Sequence, residues 1–274
     1  MSANDRATYQ TLPTTETSAA AAPPEPSLRS KLIAEVIGTT VLVQIGCGGL
    51  CMNTYIAPST GIWQCAVIWA LGATLAIYAT AQVSGAHLNP AVTLSFALVR
   101  PNEFSKAKVI PYMAAQLVGG ILAGIINLSL FHTAIAKYEG ENGIVRGAEG
   151  SQASASTFGD YWSDNVGSAA QAFYVEAFGT GFLVFMIFAA TRSTNAAVPA
   201  AAVPLIVGFS IGMMIALLGG LTGSGINPAR DLGPRLVTLF AGWGGVSLQG
   251  WWVYVFAPLV GGPIGAAIAD MCLV

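Results

Sequence analysis

The tripeptide Asn-Pro-Ala stands at Asn89-Pro90-Ala91 and again at Asn227-Pro228-Ala229, each time alone between long apolar stretches. Asn is a favoured helix N-cap, and Pro suits the first helical position, where no backbone N–H is needed. A single copy would mark a turn or a helix start. Two copies 138 positions apart in a chain of 274 residues indicate an internal duplication, with the same helix start in both halves. The likeness extends further. Ala34-Glu35-Val36-Ile37-Gly38-Thr39 matches Val175-Glu176-Ala177-Phe178-Gly179-Thr180, and Gln116-Leu117-Val118-Gly119-Gly120 matches Pro258-Leu259-Val260-Gly261-Gly262.

Charge decides where such a chain lives. Only 9% of residues are Asp, Glu, Lys or Arg and 54% are hydrophobic, against a soluble norm of about 25% charged. A soluble domain of this size cannot cover itself with so few charges, so the chain is read as a polytopic membrane protein. Six stretches, 32–52, 62–81, 109–131, 169–190, 198–218 and 252–271, reach the roughly 20 residues needed to cross a bilayer. Two shorter helices, 90–99 and 228–240, follow the Asn-Pro-Ala sites. Neither crosses alone, and both are read as re-entrant half-helices, which a membrane tolerates only when they are buried in protein.

Three spans per repeat is an odd number, so the second copy enters from the opposite side. The expected fold is an all-α membrane protein: six transmembrane helices plus two re-entrant half-helices in an inverted three-helix repeat. The organisation reads as a disordered tail over 1–28, a first repeat over 29–134, a connecting loop over 135–168 and a second repeat over 169–274. Arg29 and Lys31, then Arg100, Lys106 and Lys108, then Arg192 fall at alternate ends of the spans. By the positive-inside rule both termini are cytoplasmic and the connecting loop is extracellular or lumenal. The plasma membrane is expected rather than an internal one. The sequence ends at Val274, almost as the sixth stretch closes, and no C-terminal regulatory tail is expected.

Two half-helices entering from opposite faces bring their N-termini together near the midplane, with the side chains of Asn89 and Asn227 between them. Both positive dipole ends converge there. Such a centre repels cations and donates hydrogen bonds to a passing oxygen. Arg230 lies one turn into the second half-helix, and a guanidinium at membrane depth belongs on a watery cavity or a partner. Asp231 and Arg235, four apart, suit an ion pair. Glu35 and Glu176 hold equivalent places in the repeats. They are expected to accept hydrogen bonds from the loop preceding each half-helix, a proton path being the alternative. Cys47, Cys51, Cys65 and Cys272 read as apolar thiols, so neither metal site, disulfide framework nor cofactor is expected. The net charge of −2 without a basic run argues against nucleic acid.

The segments Ser84-Gly85-Ala86-His87-Leu88-Asn89-Pro90-Ala91-Val92-Thr93 and Thr222-Gly223-Ser224-Gly225-Ile226-Asn227-Pro228-Ala229-Arg230 resemble the two signature loops of the aquaporin, or major intrinsic protein, family. The likeness covers roughly 30–272. It implies a homotetramer in the lipid bilayer with one pore per subunit, passing water or small neutral solutes passively. It also implies a ladder of carbonyl acceptors from Gly85, Ala86, His87 and Leu88 and from Thr222, Gly223, Gly225 and Ile226. Half-helix dipoles and an arginine are the known barriers to protons and cations in aquaporin-type pores.

The resemblance further implies a four-residue constriction at Trp69, Ile215, Ser224 and Arg230. Strict water channels typically carry His where Ile215 stands and Phe where Trp69 stands. An apolar indole facing a guanidinium suits glycerol, carbon edge to one and hydroxyl edge to the other. Val67-Ile68-Trp69-Ala70-Leu71-Gly72, with Asp231 and Arg235, is similar to glycerol facilitators. Ser224 departs from them, standing where they usually carry an aromatic, and Tyr254 and Val255 match neither subfamily. The expected permeants are glycerol, other small uncharged solutes, among them urea as a candidate, and water, with protons and ions excluded. The alternatives are a mainly water-selective pore and, from another class, a coupled secondary transporter. An enzyme is not expected, because no carboxylate is evident to orient His87 as a base toward Ser84 or Ser224.

Overall fold

The computed structural model describes residues 25–59 and 61–273. The tail expected over 1–28 lies, up to residue 24, outside the described residues. The helices are α1 (Leu28–Cys51), α2 (Ile62–Ser84), α3 (Pro90–Val99), α4 (Val109–Glu141), the single turn α5 (Gln152–Ala155), α6 (Ala169–Ala190), α7 (Val203–Thr222), α8 (Pro228–Thr238) and α9 (Trp251–Cys272). Six of them, α1, α2, α4, α6, α7 and α9, are long and apolar enough to cross a membrane.

Burial is inverted relative to a soluble protein. Trp63, Leu75, Tyr174, Phe209 and Leu217 point outward, while Glu35, Gln116, Asn127, Glu176, Asp231 and Arg235 are buried. Lipid solvates the first set, and the second set must find partners inside the protein. The halves are interwoven. α1 packs on α2 and α4, and α6 on α7 and α9, but the half-helix α3 lies against α9 and its counterpart α8 against α4. The Gly-x-x-x-Gly pairs Gly208–Gly212 and Gly261–Gly265 are used within the chain. Gly208 and Gly212 of α7 press on the α2 backbone at Ala70 and Ala66, and Gly261 and Gly265 of α9 press on α6 at Ala177 and Gly181.

Several boundaries differ from the sequence expectation, and packing explains the largest difference. α4 runs on to Glu141 rather than stopping at 131. Its polar last turns leave the lipid and pack under the connecting loop. There Ile135 joins a small core with Cys51, Phe158 and Trp243, and Tyr138 meets Tyr55 edge-on at 5.3 Å. The connecting loop therefore shortens to 142–168. α7 begins at Val203 with Pro204 in its first turn, and α8 ends at Thr238.

Candidate functional site

The two loops that lead into the half-helices are conformational copies. Each follows a glycine that ends the preceding helix in the left-handed region, Gly85 at φ 87° and Gly223 at φ 85°. Positive φ then recurs without glycine at Ala86 and Leu88, and at Ser224 and Ile226. Such backbone is strained and persists only where its surroundings dictate it. A buried carboxylate does this in each half. Glu35 accepts the N–H groups of His87 (3.0 Å) and Leu88 (2.8 Å), and the Ser84 hydroxyl (2.7 Å). Glu176 accepts those of Gly225 (3.1 Å) and Ile226 (2.7 Å), and the Thr222 hydroxyl (2.6 Å). Gln116 adds a fourth donor to Glu35 at 2.7 Å and also reaches Thr93.

A second matched pair supports the same loops. The Tyr112 hydroxyl donates to the Ser84 carbonyl at 3.0 Å, and the Tyr254 hydroxyl to the Thr222 carbonyl at 2.9 Å. The Thr222 carbonyl, expected in the acceptor ladder, thus already accepts from Tyr254. With its hydroxyl donating to Glu176 as well, Thr222 is the bonding counterpart of Ser84. Tyr254, which fits no subfamily pattern in sequence, thereby gains a structural account.

Asn89 and Asn227 are the N-caps of α3 and α8. Asn89 accepts the Ala91 N–H, and Asn227 accepts those of Ala229 and Arg230. With their oxygens so used, their amides cross to the opposite loop. Asn89 Nδ2 donates to the Ile226 carbonyl at 2.9 Å and Asn227 Nδ2 to the Leu88 carbonyl at 2.8 Å.

Three cavities with shared lining residues follow one another along this axis. One, on the side of Arg100 and Arg192, is bordered by Gly85, Ala86, His87 and Leu88 and reaches Asn89 and Asn227. The middle one shares both asparagines and adds Ser224, Gly225, Ile226, Trp69, Ile215 and Arg230. The third shares Trp69, Ile215 and Arg230 with the middle one, reaches Gly223, and opens toward the connecting loop beside Cys65 and Asp160. Together the linings include Asn89 and Asn227 and the four residues Trp69, Ile215, Ser224 and Arg230. His87 is stacked on Phe96 with centroids 4.8 Å apart, and its Nδ1 lies 3.2 Å from the Thr93 hydroxyl.

The guanidinium of Arg230 lies 4.2 Å over the Trp69 ring. Its partner is one that sequence reasoning missed. Asp160, from the connecting loop, brings Oδ2 to 2.9 Å of Nη1, with both side chains almost fully buried. Asp160 is itself held by α8. Its N–H donates to Asp231 at 2.7 Å, and its carbonyl accepts from Arg235. Arg235 also bonds Asp231 at 2.6 Å and the Ser247 carbonyl at 2.7 Å. The loop can come this close only because residue 159 is glycine, where any Cβ would collide with the Arg235 side chain. Asp231 and Arg235 are thus more than an ion pair along one helix; they fasten the connecting loop over the site. The one available signal was an acid enclosed by aromatics in Phe158-Gly159-Asp160-Tyr161-Trp162 within an otherwise polar loop.

A family model described as Major intrinsic protein matches residues 24–269. The chain belongs to the major intrinsic protein family. Among curated members it is 37% identical over 251 residues to the glycerol uptake facilitator protein of Pseudomonas aeruginosa, covering 89% of each. It is 38% identical over 248 residues to the propanediol uptake facilitator of Citrobacter freundii, covering 88% of this chain and 91% of that one. Among solved structures, the aquaglyceroporin from Plasmodium falciparum superposes with a TM-score of 0.76 at 26% identity, over 90% of this chain and 97% of that one. This major intrinsic protein is therefore an integral multi-pass membrane protein similar to glycerol and propanediol facilitators and to an aquaglyceroporin.

Proposed function

We propose that the chain is a passive channel for glycerol, related small uncharged solutes such as urea, and water, which excludes protons and ions and performs no chemical step. The observation that carries the reading is the run of three cavities with shared lining residues past both asparagines, bordered at the constriction by Trp69 and by Arg230, whose guanidinium is stacked over the indole. The glycerol and propanediol facilitators among its relatives support the same solute class.

Trp69, Ile215, Ser224 and Arg230 form the selectivity filter. Trp69 and Ile215 take the carbon edge of the solute and Arg230 donates to its hydroxyls. Carbonyls of Gly85, Ala86, His87, Leu88, Gly223, Gly225 and Ile226 accept from the solute in turn. At Asn89-Pro90-Ala91 and Asn227-Pro228-Ala229 the paired amides and the positive ends of α3 and α8 orient each oxygen and repel cations. Glu35 and Glu176 hold the loops in shape. Both termini are cytoplasmic, the protein works as a homotetramer in the plasma membrane, and repeats 29–134 and 169–274 enclose one pore per subunit.

Stopped-flow light scattering on proteoliposomes tests this. An impermeant osmolyte should give fast water efflux, and a glycerol gradient should give fast reswelling that needs no ion gradient. Glycerol entering at the empty-liposome rate while water moves fast would make this a water-selective pore. Flux that follows an imposed ion gradient would make it a coupled transporter.

A further inference from the structure

Among the described residues, seven buried side-chain nitrogen or oxygen atoms lack an aligned hydrogen-bond partner. Three of them sit together at the constriction: Nη1 of Arg230, Oδ2 of Asp160 and Oγ of Ser224. The Arg230–Asp160 contact at 2.9 Å neutralises charge, yet the N–H groups of Nη1 are not aimed along it. Only the 3.4 Å contact from Nη2 to Oδ1 has hydrogen-bond geometry. Nη1 and Oδ2 thus keep hydrogen-bonding capacity, and Asp160 and Arg230 border the same cavity. Ser224 borders the next cavity, again beside Arg230.

We infer that Asp160 is a fifth, specificity-determining residue of the filter. With Arg230 and Ser224 it makes a polar edge that reads solutes whose hydroxyls both donate and accept, as in polyols. With only a guanidinium for a polar side chain, a filter offers side-chain donors and leaves acceptance to backbone carbonyls such as that of Gly223. Here one solute hydroxyl accepts from Arg230 Nη1 and donates to Asp160 Oδ2, and the next finds Ser224 Oγ, which does either. The carbon edge lies against Trp69. Serine in place of a second aromatic removes an apolar wall and supplies this hydroxyl. The carboxylate also leaves the constriction without net charge, so its selectivity rests on hydrogen bonding. Water is the less dependent permeant, since it keeps bonds to its neighbours in the file. Glycerol sheds its own and needs the wall.

The inference rests on the glycerol-channel reading, and the test separates the two. Asp160→Asn and Asp160→Ser are reconstituted beside the wild type. Glycerol and water permeabilities are then measured on the same vesicles. Both variants keep the backbone bonds from residue 160 to Asp231 and Arg235, and the serine variant carries the test where the asparagine one does not fold. Loss of one charge-assisted bond should lower the glycerol-to-water ratio about tenfold. Asp160→Glu, which keeps the carboxylate, should recover part of it. A ratio within about twofold of wild type in both variants, or glycerol and water falling in parallel, would show that Asp160 only props the loop and would overturn the inference. Wild-type vesicles no more permeable to glycerol than empty ones would overturn the channel reading first.

Discussion

Asp231 and Arg235 form the most enclosed ion pair among the described residues, with both side chains at zero exposure. Replacing Asp231 with Asn keeps an oxygen for the Asp160 N–H but removes the charge opposite Arg235. Uncoupling a buried pair in this way costs about 3–5 kcal/mol, because the remaining ion is left without compensation. For a chain of this size, at about 2–4 °C per kcal/mol, melting should fall by roughly 6–20 °C. Arg235 cannot leave cheaply either, since the carbonyls of Asp160, Ser247 and Gln249 all accept from it. Asp231→Asn with Arg235→Gln should therefore be less damaged than the sum of the single changes, by about 2 kcal/mol. Thermal challenge of detergent-solubilised protein, read by size-exclusion chromatography, measures all four forms. A single-variant shift below about 2 °C, or strict additivity, would refute the claim that this pair fastens the connecting loop.

Other expectations follow from single contacts. Gly46 backs the Trp69 ring so closely that a Cβ there would strike it; Gly46→Ala should drive the indole toward Arg230 and lower glycerol flux more than water flux in the vesicle assay. Burial pushes the Asp160 carboxyl up to about 6, against the pull of Arg230 and Arg235 and with Asp231 adding to the rise. Lowering external pH from about 7.5 to about 5 should protonate it and reduce the glycerol-to-water ratio, a response absent from Asp160→Asn. The raised value means that the folded chain binds this proton more readily than the unfolded one, so acid removes selectivity while relieving a destabilising charge. Tyr112→Phe and Tyr254→Phe should each lower thermal stability by a similar amount, about 1 kcal/mol, because each strips the donor from an equivalent loop carbonyl.

Local rules made much of this architecture legible. The spans follow from apolar length, and the starts of α3 and α8 follow from Asn-Pro, since capping is settled within three residues. The inverted arrangement follows from an odd span number. What escaped reading depends on contacts between distant segments. The last turns of α4 look like loop because they are polar, and what holds them helical, Ile135 against Trp243 and Tyr138 against Tyr55, is contact with distant segments that no helical periodicity reveals. Asp160 looks like one of several acids in a polar loop. Its place beside Arg230 is set by Asp231, Arg235 and the bare glycine at 159, some 70 positions apart in part. Thr222 enters the ladder through the family resemblance, and its bonds to Tyr254 and Glu176, which pair it with Ser84, are contacts that no local pattern reveals.

The crossed amides of Asn89 and Asn227 bear on the order in which the chain can be finished during synthesis. Asn89 needs the carbonyl of Ile226, and Leu88 supplies the one that Asn227 needs. At about 5–20 residues per second, Asn89 leaves the ribosome roughly 7–27 s before its acceptor exists. For that interval α3 has no α9 to lie against, and the loop ahead of it is bonded only by its own half. The first re-entrant segment therefore waits, and the pore closes in one late event when the second loop arrives. A variant that cannot make the crossing bonds should give its sign in the membrane of the translating cell, as nascent chains held by the insertion machinery, before any defect in flux is measured.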